Sequence, residues 1–279
     1  WKESRFNLAS SRVRYKWATK PLPNRGDHLV RVAVICGTGM SELSQEMISS
    51  STKIAKIRVD SKWGQVPTIL VESDLGEILL IDRHHREGDA RTPPHEIEHR
   101  ANIHAAKSFS PDLILSVNSV GTMIENLPPG MIGVASDVLD LATQPWTFYD
   151  EDAIHADRTS IFDAKASEIC VSALSKSQDN TPSNLVVAQC VGPQFESPSE
   201  INALVRLGAD VVGMTLGPES RLIAESEIPH VAISCSSNWA AGRTPGDPSA
   251  EIDHHAVDAM AASLRARVRD CIEELMANY

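Results

Sequence analysis

Five segments carry side chains suited to chemistry. Gly37-Thr38-Gly39-Met40 follows an apolar run and precedes a helical pattern. Glycines there let backbone N–H groups approach an anion, the helix N-terminus favours negative charge, and Thr38 adds a hydroxyl donor. A dinucleotide fingerprint is a rival reading, since Asp60 ends a plausible second strand. But Glu42 occupies the third glycine position of GxGxxG, where it would obstruct close helix–strand packing. A tight turn with no ligand is a further alternative. Arg83-His84-His85-Arg86 closes another apolar run. Arginine forks suit phosphate oxygens, and strand ends in α/β sheets face ligand crevices. The plainer alternative is a solvated surface cluster.

His95-Glu96-Ile97-Glu98-His99 matches HExxH, in which two histidines at i, i+4 hold zinc and the glutamate acts as base. Pro93-Pro94 put this segment in the first turn of a helix, and no third ligand stands at a recognised spacing. A capped helix start with solvated polar residues is the preferred reading. The last two segments are Gly192-Pro193-Gln194-Phe195-Glu196, followed by 209–215 and Pro218-Glu219, and Ser236-Ser237-Asn238-Trp239-Ala240. Singly, Phe195 could be core and Asn238 a turn residue. Together they offer an aromatic face, a carboxylate and an amide, a set that can stack on and hydrogen-bond a planar heterocycle.

These segments need a frame. β-Branched apolar runs at 29–36, 68–71, 78–81, 112–118, 185–190, 210–214 and 231–235 have the character of buried strands. Helical patterns lie between them near 40–50, 95–108, 161–176, 198–207 and 218–226. A final amphipathic stripe runs through 250–277 on Ile252, Val257, Met260, Leu264, Val268, Ile272 and Leu275. The alternation predicts one α/β domain over 29–279, with helices on both sides of a central sheet.

Composition narrows the function. The chain has 279 residues, 42% hydrophobic and 23% charged, which excludes disorder as the main state. No apolar run approaches the ~18–20 residues of a membrane span. A net charge of −11 argues against nucleic-acid binding. Five cysteines without a CxxC pair fit reduced thiols and a cytoplasmic location. Residues 1–28 form a basic extension, with Lys2, Arg5, Arg12, Arg14, Lys16, Lys20 and Arg25 against Glu3. A packing arm is the simpler reading of it, and an organelle-targeting remnant the other. No signal-peptide core stands at the start, and a first residue of Trp points to a chain lacking its true start.

The order and spacing of these segments resemble the trimeric purine nucleoside phosphorylase family, which includes methylthioadenosine and methylthioinosine phosphorylases. The carrying segments are VAVICGTGM, DRHHREG, PPHEIEHRANIHAAK, ILSVNSVGT, LPPGMIGVASDVLDL, FYDEDAIH, GPQFESPSEINALVRLGADVVGMT and SSNWAAG, from about 30 to 278. The resemblance implies a mixed, twisted central sheet flanked by helices, the nucleoside phosphorylase fold. It implies phosphorolysis of a purine nucleoside to free base and pentose 1-phosphate, with inorganic phosphate as co-substrate, no cofactor and no metal. It implies phosphate binding by Thr38, Arg83, His84, Asn118, Ser119 and Thr215. Met214 would lie under the ribose, Phe195 over the base, Glu196 at N1–H and Asn238 at O6 and N7. His155 would reach the sugar's 5′ side from a neighbouring subunit of a homotrimer. Asn238, Glu196 and His84 would act in catalysis.

Three departures shape the expectation. The loop after Arg83 is lengthened, so either His84 or His85 could reach phosphate. His99 replaces a usual tyrosine near the 5′ side. Adenine-selective relatives place two aspartates where this chain has Asn238 and Ala240. The expected substrates are therefore 6-oxopurines: inosine, guanosine or 5′-methylthioinosine. The alternatives are methylthioadenosine phosphorolysis and a catalytically silent nucleoside-binding protein on the same fold.

Overall fold

In the first strand, β1 (Val30–Cys36), side chains alternate between two cores. Val32, Val34 and Cys36 face one, Ala33 and Ile35 the other, and both sets are buried. β4 (Gly76–Asp82) and β5 (Leu113–Thr122) do the same, as strands with helices on both faces must. The computed structural model describes residues 29–37, 42–47, 53–86, 90–142 and 144–279. The basic extension 1–28 and Thr38 lie outside the described residues.

The other strands are β2 (Lys53–Ser61), β3 (Gly64–Ser73), β6 (Ile132–Asp140), β7 (Leu185–Gln189), β8 (Val211–Gly213) and β9 (His230–Trp239). They form one mixed nine-stranded sheet in the order β2-β3-β4-β1-β5-β8-β7-β6-β9. Because β9 also pairs with β5, the strands β5, β8, β7, β6 and β9 close on themselves. The helices are α1 (Leu43–Glu46), α2 (His99–Ser108), α3 (Ala164–Leu174), α4 (Pro198–Arg206), α5 (Leu216–Ser226), α6 (His254–Ser263) and α7 (Arg265–Asn278). Residues of α3 and α7 fill one core, and those of α2 and α5 the other. This is the expected α/β architecture. Among the described residues, no helix is long and apolar enough to cross a membrane.

Several ends follow from local chemistry. Ser197 and Glu200 form a capping box at the start of α4, with Pro198 at its first position. Asp163 caps α3 by accepting from the Ala166 N–H. Three expectations need correction. The 250–277 stripe is two helices, broken at Leu264, which caps α6 and precedes α7. HExxH is not one helix: Pro94–Glu96 make a 3-10 turn and α2 begins at His99. Strands β2 and β6 lie where no buried apolar run was read.

Strand direction positions the site. β1 runs parallel to β4 and β5, and β5 runs parallel to β9, so the C-terminal ends of all four share one edge. Gly37, Arg83 and Asn238 lie at or just past those ends. β8 runs antiparallel to β5, pairing Val212 with Gly121, which carries the chain back so that Thr215 meets Asn118.

Candidate active site

A cavity of about 470 Å³ opens at this edge. Of the expected residues, Arg83, His84, Ser119, Phe195, Glu196, Met214, Thr215 and Asn238 line it.

One end suits an anion. Arg83 is buried, and Glu219 from the first turns of α5 holds it. Arg83 Nε donates to Glu219 Oε1 at 2.6 Å and Nη2 to Oε2 at 3.3 Å. Nη1 donates to Val117 O at 2.8 Å and Nη2 to Ile35 O at 3.0 Å. A guanidinium has five N–H donors, so one on Nη1 remains. Nη1 would stand 2.7 Å from a Cβ on Gly37, a contact no larger residue would permit. A side chain at Gly37 would therefore press on this face of Arg83.

His84 sits beside it, with its Nε2 edge also turned to Gly37. Its Nδ1 pairs with Thr92 O at 2.8 Å. A carbonyl can only accept, so the hydrogen is on Nδ1 and the neutral ring keeps a lone pair on Nε2. Burial, the largest cause, lowers the His84 pKa to about 4. His85 turns away, its Nε2 3.1 Å from Asn102 Oδ1. Of the two histidines, His84 is therefore the one at the cavity. Asn118 does not line it. The Asn118 amide instead donates to Thr215 Oγ1 at 2.8 Å, which leaves the threonine hydroxyl hydrogen available to an anion.

The other end suits a planar base. Gly192 has φ of +70° and lies against Met214, whose Sδ would be 2.5 Å from an added Cβ, so this turn requires glycine. The turn delivers Phe195, 40% exposed, and Glu196. Burial pushes the Glu196 carboxyl up, opposed by hydrogen bonds from its own backbone and from the Cys190 thiol. Asn238 sits beside Gly121, at a shift in the β5–β9 register. Its Nδ2 donates to Trp239 O at 2.8 Å, and its Oδ1 accepts from Ser237 Oγ at 3.0 Å. These bonds fix which way the amide faces and leave one N–H to give.

Of two further expected residues, His99 falls elsewhere, and His155 was expected at a neighbouring subunit's site. His99 is buried behind Arg83, edge-on to Trp146 with ring centroids 5.0 Å apart. Its Nδ1 is 4.0 Å from Glu219 Oε1 and lacks a hydrogen-bond partner among the described residues. Burial lowers its pKa to about 3. His99 therefore backs the anion end instead of lining a 5′ subsite. His155 is exposed on the loop after β6 and lines no part of this cavity.

Sequence reading singled out Pro218-Glu219 within a candidate segment but gave no sign of the pairing of Glu219 with Arg83, which is distant in the chain. It read Ile252 and Val257 only as members of the last helical stripe and left out His254 and Asp258; all four line the cavity from α6 and the segment before it. Among the described residues, no group of three or more His, Cys, Asp or Glu is placed to hold a metal ion.

Comparison with known proteins shows the family and the fold. The model of the phosphorylase superfamily matches residues 31–273. A protein of Thermodesulfovibrio yellowstonii named "Probable S-methyl-5'-thioinosine phosphorylase" is 31% identical over 76% of this chain and 79% of its own. One of Thermococcus kodakarensis named "Probable 6-oxopurine nucleoside phosphorylase" is 33% identical over 77% of this chain and 81% of its own. In fold, the chain is similar to the methylthioadenosine phosphorylase of Schistosoma mansoni solved with adenine. There the TM-score is 0.76 at 21% identity, covering 89% of this chain and 91% of that one.

Proposed function

The chain belongs to the phosphorylase superfamily, and on that premise we propose that it cleaves 6-oxopurine nucleosides with inorganic phosphate, releasing the base and a pentose 1-phosphate. The observation that carries the reading is one cavity joining an anion end, with Arg83, His84, Ser119 and Thr215, to a base end, with Phe195, Glu196 and Asn238.

The chemistry follows from those groups. Arg83 Nη1 and the Thr215 hydroxyl donate to phosphate oxygens. Thr38 belongs to the same end in this reading. The lone pair on His84 Nε2 suits the protonated oxygen of hydrogen phosphate. A phosphate oxygen attacks the anomeric carbon as the bond to N9 breaks, and the bonding pair leaves with the purine. The phosphate's proton is balanced by the proton the free base gains. Met214 lies between the two ends, under the ribose. Asn238 stabilises the departing base by donating near N7, where charge collects. The reaction draws on phosphate and needs no cofactor.

Base choice rests on Glu196. An ionised carboxylate only accepts, so it suits N1–H of hypoxanthine or guanine and opposes the lone pair on adenine N1. The one free N–H of Asn238, shared between N7 and the neighbouring O6, suits a 6-oxo group in the same way. A mismatched buried contact costs about 1–3 kcal/mol, so inosine should exceed adenosine in kcat/KM by roughly tenfold or more. The upward shift of Glu196 favours the adenine alternative only at low pH, where a protonated Glu196 would donate to adenine N1. The test is base release from inosine and adenosine, with and without phosphate, in wild type and Glu196→Gln. Release should require phosphate, and the glutamine, able to donate, should narrow the preference. Equal release without phosphate refutes phosphorolysis, and a wild-type preference for adenosine refutes the role of Glu196.

We also propose assembly into a homotrimer, in which the exposed His155 would meet a neighbour's cavity.

A further inference from the structure

Cys190, read from the sequence only as one of five reduced thiols, follows the last residue of β7 and opens the turn that delivers Phe195 and Glu196. Its backbone is tied on both sides. The Cys190 N–H donates to Gly213 O on β8 at 2.8 Å, and the buried Gln189 side chain donates through Nε2 to Cys190 O at 2.6 Å. The other end of that amide is fixed as well, since Gln189 Oε1 accepts from the Gly217 N–H of α5 at 2.8 Å. The half-buried Cys190 side chain packs with Val212 and Ala240, two residues of the cavity wall. From behind that wall its thiol donates to the Glu196 carboxylate. Residues 191–197 are neither strand nor helix. The thiol therefore ties a carboxylate on an irregular turn to a residue anchored to the sheet.

We propose that Cys190 is a positioning residue for base choice, its thiol holding the Glu196 carboxylate as an acceptor aimed at a purine N1–H. The inference rests on the phosphorolysis reading above and adds to it the group that keeps Glu196 in its selective form. A hydrogen bond given to a carboxylate favours the ionised form over the acid. The thiol keeps its hydrogen throughout, because burial first, then the Glu196 charge and the bond to it, push Cys190 up to about 12. Working the other way on Glu196 are its own burial and, after it, the negative charge of Glu200 in the first turn of α4. His254 and Asp258 line the same cavity from α6, and Arg83 and His84 stand at its anion end. Without the thiol, burial and Glu200 would let Glu196 take up a proton at a higher pH. The acid form donates, so it would meet the lone pair of adenine N1 and lose the preference for N1–H.

The experiment measures kcat/KM for inosine and adenosine from about pH 5 to 8.5 at saturating phosphate, in wild type, Cys190→Ala, Cys190→Val and Cys190→Ser. Both apolar variants should move the acid limb of the inosine profile to higher pH. Near pH 6 they should lower the inosine-to-adenosine ratio by roughly threefold to tenfold, with the KM for phosphate unchanged. Cys190→Ser, which keeps a donor, should retain the wild-type profile and ratio. A profile unmoved in both apolar variants overturns the proposal. A loss of equal size in all three variants also overturns it, because that is the mark of packing against Val212 and Ala240. Failure of wild type to release base with phosphate, or a wild-type preference for adenosine, overturns the reading of the site on which the inference rests. A wild type that behaves as that reading expects, beside unmoved variants, overturns this inference alone.

Discussion

Replacing Arg83 should damage the fold as well as the anion site, and the two effects can be separated. The Arg83 and Glu219 side chains are 2% and 0% exposed. Both hydrogen bonds that reach the Glu219 carboxylate among the described residues come from Arg83. Arg83→Met therefore leaves a buried carboxylate without a donor, and loses the donors to Val117 O and Ile35 O. Breaking a buried pair from one side costs about 3–5 kcal/mol. Total stability is commonly about 5–15 kcal/mol, so the variant should unfold at much lower urea. Removing both charges, in Arg83→Met with Glu219→Gln, avoids the orphaned ion and should recover most of the loss. A double-mutant cycle by urea unfolding at fixed protein concentration should give a coupling energy of about 2 kcal/mol or more. Phosphate binding should not recover in the double variant, because the remaining Nη1 donor is gone. Truncating one charge-assisted contact is worth about 1.5–3 kcal/mol, or roughly tenfold to 150-fold in KM for phosphate. In the single variant, acid should partly relieve the damage, since a protonated His99, 4.0 Å from Glu219, can replace the lost cation. A cost below about 1 kcal/mol for Arg83→Met would refute the structural half of the reasoning. Normal phosphate binding by the double variant would refute the catalytic half.

The buried imidazoles of His84, His99 and His230 have pKa values lowered by burial to about 4, 3 and 3. Their neutral forms cost nothing above pH ~6.5, but as pH falls the unfolded chain takes up protons that the native chain refuses, so stability drops. At pH 5 each contributes a loss of about 2 kcal/mol. Urea midpoints at pH 7.5 and 5.0 should show it, with a smaller drop in His99→Phe; equal midpoints in wild type would contradict the burial of these rings. Sedimentation should give a trimer for the active species, and mixing inactive Glu196→Ala chains with inactive His155→Ala chains should restore some activity through mixed trimers; an active monomer excludes the role of His155.

What could be read from the chain, and what could not, follows from how far each signal acts. Strands β1, β4, β5, β7 and β9 are buried on both faces or close to it, so each is a continuous apolar run. β2 is an edge strand paired only with β3, and most of KIAKIRVDS is exposed. Charged residues interleave its few apolar ones, as edge strands require, and the run disappears. In β6 the register shifts between Ala135 and Asp137, and Ser136 and Asp137 are exposed in mid-strand. The break at Leu264 leaves no mark because Leu264 is itself buried and continues the apolar stripe across both helices. No glycine or proline is needed there, so periodicity alone joined two helices into one.

The site divides in the same way. Gly37, Arg83, Gly192 and Asn238 announce themselves because each sits at a strand end or turn whose local sequence demands it. His99 and Glu219 matter through each other and through Arg83, across gaps in sequence that no local pattern spans. Read alone, His99 completes a metal motif or stands for a tyrosine at the sugar. Packed behind Arg83, it is a neutral ring that shields one buried ion pair from water. That shielding has a functional consequence. Glu219 offsets most of the Arg83 charge before any ligand arrives, so the empty cavity does not hold an uncompensated cation. In the proposed reading, the one N–H left on Arg83 Nη1 is still available to an anion with its geometry fixed in advance. Preorganisation of this kind favours charge placed at that one point, and it is why the pair, although invisible as a motif, belongs to the catalytic design as firmly as the residues that line the cavity.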